Sequence, residues 1–293
     1  MPAVGSDSDT HKTDNSLISR NRPSRTIDSR TALYAVLGDP VVHSLSPVMH
    51  NAAFDQTGHN AVYVALRVTD PAGAVAAIRT LGIVGASVTI PHKTAVIDHL
   101  DQLDSATEAI GAVNTIVNQK GKLIGYNTDG LGAVYALTAK TSLKHKRVTV
   151  IGAGGAARAI GYAMAKQDAR VTIANRSAVR GQTLAKELQA DFLPLGELSG
   201  DSCDVLINCT PVGMYPDTDA IPIDVAVLRS DMVVMDAVYN PLVTRLLRKA
   251  GGTGCVTVSG VDMFVHQGAL QFELWTGRSA PMDVMRLAVL AAL

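Results

Sequence analysis

Short aliphatic runs alternate with helix-like segments along most of the chain, and this alternation restricts the fold more than any other feature. The first runs are YAVLG (34–38), VYVALRV (62–68) and GASVTI (85–90). Between them stand Ser46-Pro47 and Asp70-Pro71, and a capping residue followed by proline is typical of a helix start. We therefore predict Ser46 and Asp70 as helix N-caps, within an α/β fold built on a largely parallel sheet.

The same alternation continues to the carboxyl end. Residues 105–110 are predicted to be a helix, and NTIVNQKGKLIGYN (114–127) a hairpin that turns at Gly121. Further strands are predicted at 147–152, 170–175, 204–209, 232–238 and 255–260, and further helices at 155–166, 179–189, 262–275 and 281–292. The pattern thus comprises two α/β units that meet near Gly130.

Charge balance and residue spacing exclude several classes of partner. Lys plus Arg and Asp plus Glu both number 26, so no net charge favours nucleic acid or an anionic membrane. The eight histidines and three cysteines show no metal-ligand spacing, and no apolar run is long enough to span a membrane. We expect no metal, and we expect Cys203, Cys209 and Cys255 to be reduced thiols of a cytoplasmic protein.

Residues 1–30 differ from the rest of the chain. They are rich in Ser, Thr, Asp and Arg, show no periodicity, and lack the apolar run of a secretory signal. This composition predicts a disordered tail.

A glycine-rich turn, IGAGGAA, follows the first strand of the second unit. It contains Gly152-x-Gly154-x-x-Ala157 between a predicted strand and a predicted helix. The first glycine permits a tight turn, the second lets a pyrophosphate approach the backbone, and Ala157 allows close packing of helix and strand. Free N–H groups and the helix dipole favour phosphate at this position. The turn predicts a dinucleotide site in a Rossmann-type domain.

The end of the next strand indicates which dinucleotide binds. An NAD site usually has Asp or Glu there to accept from the ribose 2′-OH, whereas this chain has Asn175-Arg176-Ser177 and then Arg180. Guanidinium groups pair with a 2′-phosphate that a carboxylate would repel. Two solvated arginines at a helix start are the alternative, but cations are disfavoured there. The pattern favours NADP.

Polar side chains also collect at the carboxyl ends of the strands in the first unit, where ligands of open α/β sheets bind. They are Ser44, Ser46, Thr89, Lys93, Asn114 and Asp129. Each alone has a structural explanation, such as a helix cap or a lysine whose stem covers apolar surface. Together, hydroxyls, an amide, a cation and a carboxylate suit a small polyhydroxylated anion.

Several blocks of the chain resemble the shikimate dehydrogenase family, in the family's order. They are HSLSPVMHN (43–51), SVTIPHK (87–93), GAVNT (111–115), GYNTDG (125–130), GAGGAA (152–157), ANR (174–176), NCTPVGM (208–214), DAVYNP (236–241) and GVDMFVHQG (260–268). The resemblance covers nearly everything from Tyr34 onward and implies reversible reduction of 3-dehydroshikimate to shikimate with NADPH.

The resemblance also implies roles for individual residues. Lys93 and Asp129 look like the catalytic pair. The implied substrate-binding residues are Ser44, Ser46, Thr89, Asn114, Tyr239 and Gln267. The implied NADP-binding residues are Gly152, Ala153, Gly154, Gly155, Ala156, Asn175, Arg176, Ser177, Arg180, Thr210, Met214 and Gly260. One departure concerns Ser87, where the family often has Asn; serine can still donate and accept a hydrogen bond there.

On this basis the expected organisation has two domains after the tail. Residues 31–130 would bind substrate, 131–260 would bind NADP, and helices within 261–293 would return to the substrate domain so that Gln267 reaches it. A monomer or a homodimer is expected. Three other functions remain open: a quinate/shikimate dehydrogenase that uses NAD or NADP, a non-catalytic regulator on this fold, and a folate dehydrogenase. An intact Lys93–Asp129 pair argues against the regulator, and paired serines with few aromatics argue against the folate enzyme.

Overall fold

A computed structural model describes residues 26–293, which form two six-stranded sheets with helices packed on them. The predicted tail therefore lies outside the described residues as far as residue 25. At the start of the described part, the Asp28 side chain accepts hydrogen bonds from Arg30 and Asn60. The first strand begins just after this turn.

The first sheet has the order β2-β1-β3-β5-β6-β4. Its strands are β1 (Ala32–Gly38), β2 (Ala61–Arg67), β3 (Gly85–Val88), β4 (Gln102–Leu103), β5 (Thr115–Gln119) and β6 (Lys122–Tyr126). β1 runs parallel to β2 and β3, whereas β5 is antiparallel to β3 and β6. The hairpin prediction is thus confirmed, and Gly121 supplies the turn with a φ of 95°, which favours glycine.

Three helices belong to the same part of the chain: α1 (Ser46–Thr57), α2 (Pro71–Thr80) and α3 (Ser105–Ile110). The predicted cap at Ser46 is wrong. Leu45 occupies the N-cap position of α1, and Ser46 is the first helical residue, with its hydroxyl near that of Tyr63. Asp70 does occupy the N-cap position of α2, but its side chain accepts no capping hydrogen bond.

The second sheet is entirely parallel, with the order β12-β11-β10-β7-β8-β9. Its strands are β7 (Arg147–Ile151), β8 (Arg170–Asn175), β9 (Asp191–Pro194), β10 (Val205–Asn208), β11 (Val233–Asp236) and β12 (Val256–Val258). Within this sheet β7 is central. The chain adds β8 and then β9 on one side of β7, and then β10, β11 and β12 on its other side. This is the doubly wound order, whose direction reverses between β7 and β10, and ligands bind at that reversal.

Six more helices complete the described residues. They are α4 (Asp129–Thr138), α5 (Gly155–Ala165), α6 (Ala178–Leu188), α7 (Arg245–Thr253), α8 (Gly260–Thr276) and α9 (Met282–Leu290). The last two pack on the first sheet, as predicted: the Trp275 indole N–H donates to the Ile116 carbonyl at 3.0 Å, and Phe272 and Met285 share a core with Phe54 of α1. This return brings α8 to the carboxyl edge of the first sheet. Within residues 26–293 we find no helix long and apolar enough to cross a membrane.

Candidate active site

The carboxyl edge of the first sheet is where the predicted substrate residues converge. β5 is antiparallel to its neighbours, so its amino end lies beside the carboxyl ends of β3 and β6, with Thr115 paired to Ser87 and to Tyr126. Asn114, just before β5, therefore meets the segments that follow β3 and β6. Lys93 and Asp129 lie on those two segments.

Lys93 and Asp129 form a close ion pair at this edge. The Lys93 Nζ donates to Asp129 Oδ2 at 2.5 Å, and the two side chains are only 15% and 7% exposed. Asp129 is the first residue of α4, where the helix dipole favours a carboxylate. The ammonium is thus held at a defined point while retaining access to the space beside the sheet edge.

Asn114 and Gln267 join the same cluster. The Asn114 amide donates to Asp129 Oδ1 at 2.8 Å and approaches the Gln267 side-chain oxygen at 3.3 Å. It also donates to the Thr128 hydroxyl at 2.9 Å. Gln267 is buried, and its own amide donates to the Phe264 carbonyl at 2.9 Å. Four of the predicted residues, Lys93, Asp129, Asn114 and Gln267, therefore lie in one hydrogen-bonded cluster.

Ser44 lies on the loop between β1 and α1, and Ser46 is the first residue of α1; we call this stretch, residues 44–46, the serine loop. The Ser46 backbone N–H donates to the Ser44 hydroxyl at 3.3 Å, and Ser46 is buried. Tyr239, from the segment after β11, reaches this loop: burial raises the pKa of its phenol, and a hydrogen bond with the Leu45 backbone offsets part of that effect. Its ring stacks on Phe264 at 4.5 Å. Tyr239 thus joins the second half of the chain to the serine loop.

Thr89 follows β3 directly and is half-buried. Its backbone N–H donates to the Leu37 carbonyl at 2.9 Å. Gly38, at the end of β1, leaves the space that the Thr89 methyl occupies. Thr89 is therefore fixed between the ends of β1 and β3, on the same edge as Lys93.

A buried hydrogen-bond chain that the sequence did not reveal connects the serine loop to the lysine cluster. The Tyr63 hydroxyl donates to Ser87 Oγ at 2.6 Å, and Ser87 donates to the Gln271 side-chain oxygen at 2.8 Å. The Gln271 amide then donates to the Asn114 carbonyl at 3.1 Å and to the Thr115 hydroxyl at 2.9 Å. Ser87, the departure from the family pattern, thus has a partner on α8.

Replacing Gln271 tests this chain. We expect Gln271→Met to lower the free energy of unfolding by about 1–3 kcal/mol, because the buried Ser87 hydroxyl loses its acceptor and the Asn114 carbonyl keeps only the Val88 N–H. Denaturant unfolding measures the change, and Gln182→Met on the exposed face of α6 is the matched control. An unchanged midpoint for Gln271→Met would contradict the role of this chain.

Two histidines and one cysteine near this edge, His50, His92 and Cys209, do not offer an alternative catalytic group. His50 is fully buried, stacks on Tyr63 at 4.6 Å, and burial lowers its pKa to about 3, so it is neutral at physiological pH. The His92 ring bonds to the Val68 carbonyl at 2.7 Å. Burial, with a smaller contribution from Asp236, raises the pKa of Cys209, which keeps the thiol protonated.

The glycine-rich turn occupies the reversal point of the second sheet. Gly152 follows β7 with a φ of +118°, a conformation that favours glycine. Gly154 is exposed, and a Cβ at this position would have no neighbour within 4 Å among the described residues. Ala153 packs against the core behind the turn, and Gly155 and Ala156 begin α5. The turn is therefore open on its outer side, as a phosphate-binding turn requires.

The end of β8 has no carboxylate. Asn175 ends the strand, its amide donates to the Ser177 carbonyl at 2.9 Å, and Ser177 is the N-cap of α6. Arg176 and Arg180 are both exposed, and neither has an ion-pair partner among residues 26–293. The four residues form a cationic, hydroxyl-bearing corner at the edge of the sheet.

Thr210 and Met214 lie on the loop after β10, across the reversal point from the turn. A Cβ at Gly152 would lie 3.2 Å from the Thr210 methyl carbon, so turn and loop are in contact. The Asn208 side-chain oxygen accepts from the Thr210 hydroxyl at 2.7 Å and backbone at 3.0 Å. Met214 is 43% exposed.

Gly260 begins α8 and is buried against the Val238 carbonyl.

A buried carboxylate, Asp236, holds together the segments that follow β10 and β11. Asp236, at the end of β11, is buried, and burial raises its pKa to about 6. It accepts from the Asn208 amide at 2.9 Å and from the Thr244 hydroxyl at 2.7 Å.

The Lys93 side chain of the first sheet lies beside the glycine-rich turn of the second sheet. Lys93 lies next to α5, since a Cβ at Gly155 would be 3.1 Å from the Lys93 Cβ. A dinucleotide on the turn and a hydroxylated anion at the first sheet would therefore be neighbours. Such an arrangement can transfer a hydride to a carbonyl while the ammonium protonates the resulting oxygen.

Family models match three stretches of the chain. The model described as "Shikimate dehydrogenase substrate binding domain" matches residues 36–116. "Shikimate / quinate 5-dehydrogenase" matches residues 135–215, and "Shikimate 5'-dehydrogenase C-terminal domain" matches residues 260–290.

Individual relatives match over nearly their whole length. The shikimate dehydrogenase (NADP(+)) of Methanocaldococcus jannaschii is 45% identical over 277 residues, covering 90% of this chain and 98% of the relative. A crystal structure of a shikimate dehydrogenase in complex with NADP+ superimposes with a TM-score of 0.88 at 42% identity, covering 91% of this chain and 97% of that one. The Thermus thermophilus enzyme, solved with NADP(H) and shikimate, gives a TM-score of 0.84 at 36% identity, with 90% and 100% covered.

Proposed function

This chain belongs to the shikimate dehydrogenase family, and from that premise we propose that it reduces 3-dehydroshikimate to shikimate, reversibly, with NADPH. It is an oxidoreductase acting on a CH–OH group. The observation that carries the proposal is the Lys93–Asp129 pair at 2.5 Å, lying against the helix that follows the glycine-rich turn.

The substrate is a small ring with one carboxylate and several hydroxyls, and the first sheet offers a partner for each. In this proposal the Ser44 and Ser46 hydroxyls hold the carboxylate. Thr89, Asn114 and Gln267 bind the ring hydroxyls. Tyr239 closes the serine side, as its bond to the Leu45 backbone supports.

Lys93 is the proposed proton donor. Hydride addition to a ketone carbon leaves negative charge on the oxygen. A positioned ammonium stabilises that charge and donates a proton to the oxygen. In the reverse direction the same amine accepts the hydroxyl proton. Asp129 keeps the ammonium in place, and its bond from Asn114 at 2.8 Å fixes the carboxylate in turn.

The residues of the second sheet fit a phosphorylated dinucleotide. When bound, NADPH supplies the hydride. The Gly152–Ala156 turn would hold the pyrophosphate, because the space outside Gly154 is open. Asn175, Arg176, Ser177 and Arg180 would hold the adenosine ribose and its 2′-phosphate, because that corner has two exposed cations and no carboxylate. Thr210, Met214 and Gly260 are the proposed residues on the nicotinamide side.

In this proposal each sheet forms a domain that binds one of the two ligands. Residues 31–130 form the substrate domain, residues 131–260 the NADP domain, and the helices within 261–293 complete the substrate side. Closure of the two domains over the ligands would exclude water from the reaction. We place the enzyme in the cytoplasm as a monomer or homodimer.

A matrix of assays tests the function. We expect the purified chain to reduce NADP+ with shikimate, and to do so faster than with either quinate or NAD+. Absorbance of the reduced nicotinamide measures each rate. Preference for quinate with NAD+ would make the chain a quinate dehydrogenase, and ligand binding without turnover would make it a regulator; either outcome contradicts the proposal.

A further inference from the structure

The stem of Lys93 packs against the first residue of the helix that follows the glycine-rich turn. A Cβ at position 155 would lie 3.1 Å from Lys93 Cβ and 3.2 Å from Lys93 Cδ. Both distances are tighter than ordinary van der Waals contact between carbons, which begins near 3.5 Å. A side chain at position 155 and the present path of Lys93 therefore cannot coexist without displacement.

Lys93 has little freedom to move aside. Its backbone carbonyl accepts from the Val113 N–H at 2.7 Å, and its ammonium is bound to Asp129 at 2.5 Å. The Ala112 Cβ lies 3.7 Å from the same Cβ position. Since the stem is fixed at both ends, pressure on its middle must shift either the backbone or the ammonium.

The other two glycines of the turn, Gly152 and Gly154, are explained by backbone conformation and by open space rather than by a contact with Lys93. Gly152 has a φ of +118°, which other residues rarely adopt, and Gly154 faces open space. Gly155 is the first residue of α5 and has a helical conformation that alanine adopts readily. Its backbone geometry therefore gives no reason for glycine, whereas the contact with Lys93 does.

We propose that Gly155 is a positioning residue for Lys93. The missing side chain at position 155 lets the lysine stem pass along the start of α5 and sets where the ammonium stands relative to a cofactor on the turn. The inference rests on the proposed function, in which Lys93 is the proton donor. In this inference Gly155 is a glycine because of its contact with Lys93. Gly152 is a glycine because of its backbone conformation, and Gly154 leaves space for the cofactor pyrophosphate.

The test is a double-mutant cycle between positions 155 and 93. We expect Gly155→Ala to lower kcat by up to roughly tenfold, because the contact relaxes by a few tenths of an ångström and a full 1 Å at a reacting group costs up to ~10²-fold. The Kd for NADPH, measured by fluorescence, should stay within about twofold, which is a small free-energy change. The pH profile of kcat should also change shape. In a Lys93→Ala background the same substitution should cost nothing further.

Two glycine variants serve as controls. Gly154→Ala, in the same turn, is expected to raise the Kd for NADPH and to leave the shape of the pH profile as in the parent. Gly252→Ala lies at an exposed helical position of α7, where a Cβ meets no other described atom within 4 Å, and it should match the parent in kcat, in the Kd for NADPH and in the pH profile. Thermal melting checks that each variant is folded.

The outcomes separate this inference from the proposed function. Parental kcat and pH profile in Gly155→Ala, or an equal loss in the Lys93→Ala background, would overturn the inference. If Gly155→Ala does not fold, recovery of folding in the Gly155→Ala/Lys93→Gly double variant, which removes both contacting carbons of Lys93, supports it, and no recovery overturns it. Parental turnover in Lys93→Ala itself would instead overturn the proposed role of the lysine.

Discussion

Replacement of Lys93 by alanine is expected to lower turnover about 10²–10⁴-fold, the usual contribution of general acid–base catalysis. The ammonium is the group that neutralises charge on the substrate oxygen in the transition state. Its contribution to ground-state binding is smaller, so KM for shikimate should change little. The expected result is a loss confined to kcat, which marks an interaction made mainly in the transition state.

Steady-state kinetics at saturating NADP+ measure this split. Lys140→Ala, an exposed lysine just after α4, controls for loss of a positive charge. Asp129→Asn should also lower kcat steeply, and the Lys93→Ala/Asp129→Asn double variant should lose little more than either single one, because the two groups act as a unit. Additive losses would mean that Asp129 acts separately from the lysine, and parental turnover in Lys93→Ala would refute the assignment of the acid.

The convergence of the site could be predicted because it depends on strand ends. Residues that follow parallel strands meet at one edge of a sheet, and the hairpin turn at Gly121 was readable from its sequence. Lys93, Asn114 and Asp129 were therefore predicted as neighbours, and the hydrogen bonds of 2.5 and 2.8 Å show that they are.

Helix α4 was not among the helices predicted from the sequence, although Asp129 was considered as a helix cap, because two glycines lie in its first turn. Gly130 and Gly132 lower its intrinsic propensity. The structure explains both glycines by packing: a Cβ at Gly130 would lie 2.6 Å from the Ala159 carbonyl oxygen, and one at Gly132 would lie 2.9 Å from Gln267 Cβ. Close packing on α5 and α8 thus stabilises this helix despite its low intrinsic propensity. Such packing can be seen only in the tertiary structure.

The buried chain through Gln271 was unpredictable for a related reason. Ser87 and Gln271 are 184 residues apart in the chain, and each has an unremarkable local sequence. The cap predicted at Ser46 failed because the helix begins one residue earlier than expected, with Leu45 at the N-cap position and Ser46 buried as its first residue. Local sequence rules fail where a polar side chain finds a long-range partner that satisfies it better.

Removal of Arg176 and Arg180 is expected to change nucleotide preference more than any other pair of substitutions. Each charge-assisted hydrogen bond to a 2′-phosphate contributes about 1.5–3 kcal/mol, so Arg176→Ala/Arg180→Ala should raise the Kd for NADPH at least ~10²-fold. NADH has no phosphate at that position, so its Kd should change by less than about twofold. The present structure supports this expectation, because both guanidinium groups are exposed and have no acidic partner within residues 26–293.

Fluorescence titration with both nucleotides measures the two dissociation constants without relying on turnover. Arg170→Ala is the matched control, since Arg170 is an exposed arginine at the opposite end of β8 and should leave both values unchanged. Raising the salt concentration should weaken NADPH binding in the parent and much less in the double variant, because screening acts on the lost charges. An equal loss for NADPH and NADH would mean that the arginines support the fold of the α6 start rather than the phosphate, and the argument for NADP from this corner would fail.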